Sequence, residues 1–163
     1  MEFLLYERKF KLIDDVLYSF YKKGGINQIE RWYIVKLHLD KGYKRFSFRL
    51  EGKIKKFQYH RVVYLANNSD WNIYDNSKNN CIDHIDGIRT NNDISNLRNV
   101  TNQENCFNRT RCKGYCFDKS KGKYKAQIQL NGTNSHIGYF NTETEAREAY
   151  LNKKKELHKI QAR

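Results

Sequence analysis

Hydrophobic positions recur with a period of two through much of the first third of the chain. Between Trp32 and Leu39, Tyr33, Val35, Leu37 and Leu39 alternate with Trp32, Ile34, Lys36 and His38. Asp40-Lys41-Gly42 is a turn signal, after which Phe46, Phe48 and Leu50 alternate with Arg45, Ser47 and Arg49. Glu51-Gly52-Lys53 signals a second turn, and a further strand is expected over Ile54 to Tyr59. The pattern predicts an antiparallel meander with one apolar face and one face of Lys, Arg and Ser. His60 to Asn67 reads as a short helix, and residues 67–80, rich in Asn, Asp and Ser, read as a loop.

The last third repeats the period. Tyr124, Ala126, Ile128 and Leu130 alternate with Lys123, Lys125, Gln127 and Gln129. Asn131-Gly132 then predicts a type I′ hairpin, because that pair tolerates positive φ. The returning strand is expected over Ser135 to Phe140, and Thr142-Glu143-Thr144-Glu145 is a capping box opening a helix. Ala146, Ala149, Tyr150 and Leu157 supply its apolar stripe. Residues 113–158 therefore read as a three-stranded sheet on one helix, with a polar sheet face of Lys and Gln. Gln suits adenine and Lys suits guanine or phosphate. An ordinary solvated sheet face is the alternative reading.

Composition narrows the function classes. The chain has 163 residues, of which 31 are Lys or Arg and 18 Asp or Glu, a net charge of +13. Nucleic acid is the expected partner of such a charge. Residues 1–57 carry net +7, residues 58–100 net −1 and residues 101–163 net +7. Two basic arms thus flank a slightly acidic centre, as a nuclease needs: cations for phosphates, and carboxylates or amides for a metal ion. No apolar run is long enough to span a membrane. The N-terminal stretch does not resemble a secretory signal, so an intracellular setting is expected. The spacing of Cys81, Cys106, Cys112 and Cys116 fits neither a disulfide framework nor a paired zinc motif, which disfavours zinc.

The chemistry-bearing stretch is Cys81-Ile82-Asp83-His84-Ile85-Asp86-Gly87, then Asn91-Asn92, Asn96-Leu97-Arg98 and Thr101-Asn102-Gln103-Glu104-Asn105. Adjacent residues at a strand end point to opposite sides, so one of Asp83 and His84 can hold a cation while the other faces a water or a ring partner. Asp86-Gly87 ends the strand in a tight turn. Thr101 to Glu104 is a second capping box, and the helix it opens carries Asn102, Asn105 and Arg109 on one face. Taken singly, His60 reads as a packed or hydrogen-bonded histidine, and Lys153-Lys154-Lys155 as a solvated helix end. Arg109 is a candidate phosphate clamp.

From about His60 to Arg109 the chain resembles the HNH endonuclease family, and in particular its phage and viral homing-endonuclease branch. The resemblance lies in Phe57-Gln58-Tyr59-His60-Arg61-Val62-Val63, Ile82 to Gly87, Asn91-Asn92, Asn96-Leu97-Arg98, Val100-Thr101 and Glu104-Asn105. It implies a ββα-metal core in which Asp83 ligates one divalent cation and His84 is the general base. Asn96 would orient the loop and, through it, the His84 ring. Asn105 would be the second metal ligand, standing where many relatives have histidine. Oxygen ligands from Asp and Asn favour Mg2+ or Mn2+.

Lys113-Gly114, Lys123 to Ile128, Asn131-Gly132, His136 to Phe140 and Thr142 to Tyr150 resemble the Apetala-two/ethylene-response-factor DNA-binding domain. That resemblance implies DNA contacts by Lys113, Lys125, Gln127, Gln129 and His136; Cys116 departs from the arginine common at its position. Lys119, Lys121 and Lys123 suit phosphates. Residues 1–57 resemble the strand-rich lead-in of related nucleases, with Lys36, Arg45 and Arg49 as groove-lining candidates.

The expected fold class is α+β: a meander over 1–57, an HNH core over 58–110 and a sheet-plus-helix DNA-binding domain over 111–163. The expected function is site-directed hydrolysis of double-stranded DNA by a monomer of viral or phage origin, with no small-molecule substrate. The competing expectation is a non-catalytic DNA-binding regulator with a decayed nuclease centre.

Overall fold

The structure, a computed structural model, describes residues 1–22, 30–107 and 112–157. It is of the α+β class with strands dominant, twelve of them with three α-helices among the described residues. No described helix is long and apolar enough to cross a membrane. The chain divides into two compact units, one of residues 1–77 and 82–99, the other of residues 78–81 and 100–163.

The first unit opens with β1 (Glu2–Leu5), β2 (Arg8–Ile13), β3 (Val16–Lys22) and β4 (Glu30–Ile34), which form an antiparallel sheet in sequential order. β5 (His38–Asp40), β6 (Tyr43–Leu50) and β7 (Lys53–Gln58) form a second. The meander read from residue 32 onward is thus shared between two sheets. Val35 N–H still bonds to the Leu17 carbonyl at 2.8 Å, and the chain then leaves the first sheet before β5 begins. That break re-aims the alternation, so Leu39 is 67% exposed and the expected apolar face stops short of it, while Ile34, in the opposite phase, is 69% exposed. With no proline in the chain, tight turns rest on pairs at positive φ: Asp14-Asp15, Lys41-Gly42, Glu51-Gly52 and Asn131-Gly132.

Helix α1 (Tyr59–Asn67) packs on β2, β6 and β7. Val62 and Val63, with Leu5, Phe10, Leu12, Leu17, Phe46, Ile73, Ile82 and Leu97, make one continuous core. The Tyr59 hydroxyl donates to the Asp15 carbonyl at 2.6 Å, tying the helix start to the first sheet. Residues 68–80 contain neither helix nor strand, as their composition predicts. β8 (Cys81–His84) and β9 (Leu97–Val100) form a two-stranded ribbon, joined by a loop that ends in a 3-10 turn over Ile94–Asn96.

In the second unit α2 (Asn102–Phe107) starts at its capping box. Glu104 N–H donates to Thr101 Oγ1 at 3.1 Å and Thr101 N–H donates to Glu104 Oε2 at 2.7 Å. β10 (Tyr115–Asp118), β11 (Lys123–Leu130) and β12 (Thr133–Phe140) form an antiparallel sheet covered by α3 (Glu143–Leu157). Ala126 and Ile128 are buried, as are Ala146 and Tyr150 of α3. Gly114 lies at φ +77°, and a Cβ there would stand 2.1 Å from the Tyr150 ring, so only glycine fits. Lys154 is 5% exposed, correcting the expectation of a solvated helix end. It falls one turn beyond Tyr150 and two beyond Ala146, on the same buried stripe. That burial lowers its pKa.

Candidate active site and nucleic-acid surfaces

Asp83 and His84 close β8, and both are buried. Being adjacent on a strand, they engage different neighbours. Asp83 Oδ2 accepts from Arg98 Nε at 3.1 Å and Nη2 at 3.0 Å. Both guanidinium donors on one oxygen fix the carboxylate's rotation.

The His84 ring lies in an aromatic corner. His60 stands edge-on to it at 4.9 Å between ring centres, and Tyr43 lies at 6.1 Å. Tyr43 in turn lies 5.3 Å from His60 and carries the Arg89 guanidinium over its ring at 4.9 Å. His84 Nε2 is 3.1 Å from Asn92 Oδ1. Asn92 Nδ2 donates to the Thr90 carbonyl at 3.1 Å, which settles the orientation of that amide. Asn92 therefore presents an acceptor to His84 Nε2, which donates to it. The contact to His84 belongs to Asn92.

Asn96 acts one step further back. Its Oδ1 accepts from Asp86 N–H at 2.9 Å, and its Nδ2 donates to Asp86 Oδ1 at 3.0 Å and to the Asn91 carbonyl at 2.9 Å. Asp86 also accepts from Ile88 N–H at 2.8 Å and Asn91 Nδ2 at 2.6 Å. Asp93 caps the 3-10 turn, accepting from Ser95 N–H at 2.8 Å. The loop between β8 and β9 is thus tied by side chains, and Asn92 is held where it meets His84.

Burial, with His84, Arg61 and Arg45 nearby, drives the His60 pKa down to about 3, so its ring is neutral. Its Nδ1 is buried without a hydrogen-bond partner among the described residues. The reading of His60 as a packed histidine agrees with this, and its packing partner is the candidate base. Asn92, Arg98 and Tyr43 were assigned no role from sequence. Asn92 and Arg98 stood inside the quoted motifs, whereas nothing in the sequence marks Tyr43.

Asn105 sits in α2, half-buried, its N–H donating to the Thr101 carbonyl at 2.9 Å. Arg109 lies outside the described residues. Among the described residues no three His, Cys, Asp or Glu side chains gather as a metal cluster, and all four cysteines are free.

In the second unit Lys125, Gln127 and Gln129 alternate with the helix-facing residues of β11 and so share its opposite face. Lys125 pairs with Tyr139, Gln127 with His136 and Gln129 with Asn134. A bulge opposite Ala126 and Gln127 brings His136 and Tyr139 within 4.8 Å, ring to ring. The Lys121 ammonium lies 4.0 Å from the Tyr139 ring centre. Lys113, Lys119, Lys121 and Lys123 are exposed. In the first unit Arg45 Nη1 donates to Asp40 Oδ2 at 2.6 Å, and Lys36 and Arg49 are exposed.

A family model described as HNH endonuclease matches residues 58–106. An uncharacterized HNH endonuclease of Acanthamoeba polyphaga mimivirus is 31% identical over 154 residues, spanning 86% of this chain and 76% of that protein. No solved structure matches the chain.

Proposed function

The chain belongs to the HNH endonuclease family and acts on nucleic acid; from that premise we propose that it hydrolyses double-stranded DNA as a homing-type enzyme with His84 as general base. The observation that carries this reading is the buried His84 ring, whose Nε2 is engaged by Asn92 while His60 stands edge-on to it.

Residues 58–110 are read as an HNH core of the ββα-metal type. Asp83 and Asn105 would hold one Mg2+ or Mn2+, with Arg98 fixing the Asp83 carboxylate. When bound, such an ion supplies charge neutralisation at the phosphate and the leaving oxygen. His84 Nδ1 would take a proton from the attacking water, the new bond forms at phosphorus, and the 3′ oxygen leaves with the bonding pair and takes a proton from solvent water. The products are a 5′-phosphate and a 3′-hydroxyl. Asn92 keeps the ring oriented through the transfer. Asn96 is a positioning residue that acts through the loop carrying Asn92.

Residues 111–163 would read the DNA through an Apetala-two-like sheet, with Lys113, Lys125, Gln127, Gln129 and His136 facing bases or backbone. Lys119, Lys121, Lys123 and Arg109 would hold phosphates, and the region over 1–57 would add Arg45 and Arg49.

The test is nicking of supercoiled DNA carrying candidate target sites, with Mg2+, with EDTA, and with His84→Ala in Mg2+. Cleavage is expected to need the metal and to fall by about 10² to 10⁴ in His84→Ala, the usual worth of general-base help, with DNA binding retained. Cleavage undiminished in His84→Ala would overturn the assignment. Tight binding without cleavage of a confirmed target would favour the regulator reading.

A further inference from the structure

Beside β7 the first unit holds a groove of about 530 Å³ to which the cleavage chemistry gives no role. Among the described residues that line it, Arg45, Lys55, Lys56 and Arg61 are cations and none is a carboxylate. Arg45 is engaged by Asp40, and Arg61 Nη2 donates to the Ile73 carbonyl at 2.9 Å. Lys55 and Lys56 stand on β7, which among the described strands pairs with β6 alone. Such a lining repels a cation and suits a polyanion.

The groove also has an aromatic part. Tyr6 and Tyr74 lie 4.9 Å apart, ring to ring, and Tyr6 N–H donates to Tyr74 Oη at 2.5 Å. They are nevertheless 41% and 43% exposed. The Lys55 ammonium rests 4.4 Å from the Tyr6 ring centre, on a flexible stem that can swing to a phosphate. A fixed, half-exposed aromatic pair among cations suits a ligand that offers flat π faces between its charges. In a duplex the base faces are closed by stacking on one another. An unpaired strand offers phosphates and open base faces together.

We infer that this groove binds an unpaired stretch of nucleic-acid strand, with Lys55 and Lys56 on its phosphates and a base stacked on Tyr74. Arg45, which also lines the groove, lies close enough to His60 to act on its charge, and His60 packs edge-on to His84. The inference rests on the nuclease reading only for the source of that strand, as DNA opened at the cut.

The test is fluorescence anisotropy of the full chain in EDTA, with a short oligothymidine and a blunt duplex of equal length. Lys55→Ala with Lys56→Ala should make the single-strand salt dependence shallower by about 1.4 in log–log slope, from about −0.7 per phosphate contact. Tyr74→Ala should weaken oligothymidine roughly 5- to 150-fold, the worth of one stacked base, while Tyr74→Phe stays near wild type. Circular dichroism checks that each variant is folded. Folded variants with wild-type oligothymidine affinity would overturn the inference, and so would equal losses on single strand and duplex. Metal-dependent nicking measured alongside separates the two claims. Oligothymidine binding lost only in the groove variants, with no cleavage of a confirmed target by wild type, sinks the nuclease proposal alone. Wild-type cleavage with indifferent groove variants sinks the groove alone.

Discussion

Replacing Asn96 with alanine removes a side chain that closes three hydrogen bonds at once, to Asp86 N–H, Asp86 Oδ1 and the Asn91 carbonyl. Each is worth about 0.5–1.5 kcal/mol net. Asn96 itself is buried, whereas Asp86 and Asn91 are exposed and can turn part of their bonding to water. The expected loss is therefore about 2–3 kcal/mol. Both tryptophans, Trp32 and Trp71, lie in the first unit, so urea unfolding followed by their fluorescence reads the unit that carries the loop. With a urea slope of about 1–3 kcal/mol per molar, the midpoint should fall by roughly 1–2 M. Asn96→Asp is the sharper control. It keeps the acceptor for Asp86 N–H but sets a carboxylate against Asp86 Oδ1, so at neutral pH it should be no more stable than Asn96→Ala. It should gain on Asn96→Ala as the pH falls through the carboxylate range. An Asn96→Ala midpoint equal to wild type would refute the loop-tying role, and so would Asn96→Asp outlasting Asn96→Ala at neutral pH.

Arg98→Ala strips Asp83 of its two-pronged partner and should cost about 1–3 kcal/mol by the same fluorescence measurement, since the pair is partly shielded from water. A wild-type midpoint would count against it. His60 binds no proton in the folded state until about pH 3, whereas an unfolded histidine binds one below about 6.5. The unfolded state thus gains protons first, and stability is lost as pH falls through that window, by about 2 kcal/mol at a pH of about 5. His60→Gln should remove this part of the acid slope, and an unchanged slope would show that His60 is not its source. Gly114→Ala sets a methyl against the Tyr150 ring at positive φ and should cost roughly 2–4 kcal/mol. Amide exchange should then quicken over β10 to β12 while tryptophan fluorescence holds. Exchange at the wild-type rate would refute the requirement for glycine.

What could be read from the sequence divides by range of interaction. The Thr101 and Thr142 capping boxes, the Asn131-Gly132 turn and the stripe through Ala146 and Tyr150 are each decided by residues within a few positions of one another, and each forms as expected. The break between β4 and β5 is a choice between two sheets, and period-two alternation is the same in either. β1 to β3 are expected only as part of the meander over 1–57, without bounds of their own, for a related reason. Their turns rest on Tyr6 and Asp14-Asp15 at positive φ, where the usual Gly or Asn-Gly signal is absent. At the site, Asp83, His84 and Asn96 were legible because the motif carries them in series. Their partners were not, because each contact depends on where another element arrives. His60 comes from the start of α1, Tyr43 from the start of β6, and Asn92 from a loop that Asn96 must first close. The buried Lys154 shows the same limit in reverse. A run of three lysines looks solvated in a linear window, but a helix of 3.6 residues per turn places its middle member on the stripe set by Ala146 and Tyr150. The local code therefore specifies the groups on which the proposed chemistry rests, while the orientation of the His84 ring is set by contacts from α1, β6 and the loop between β8 and β9.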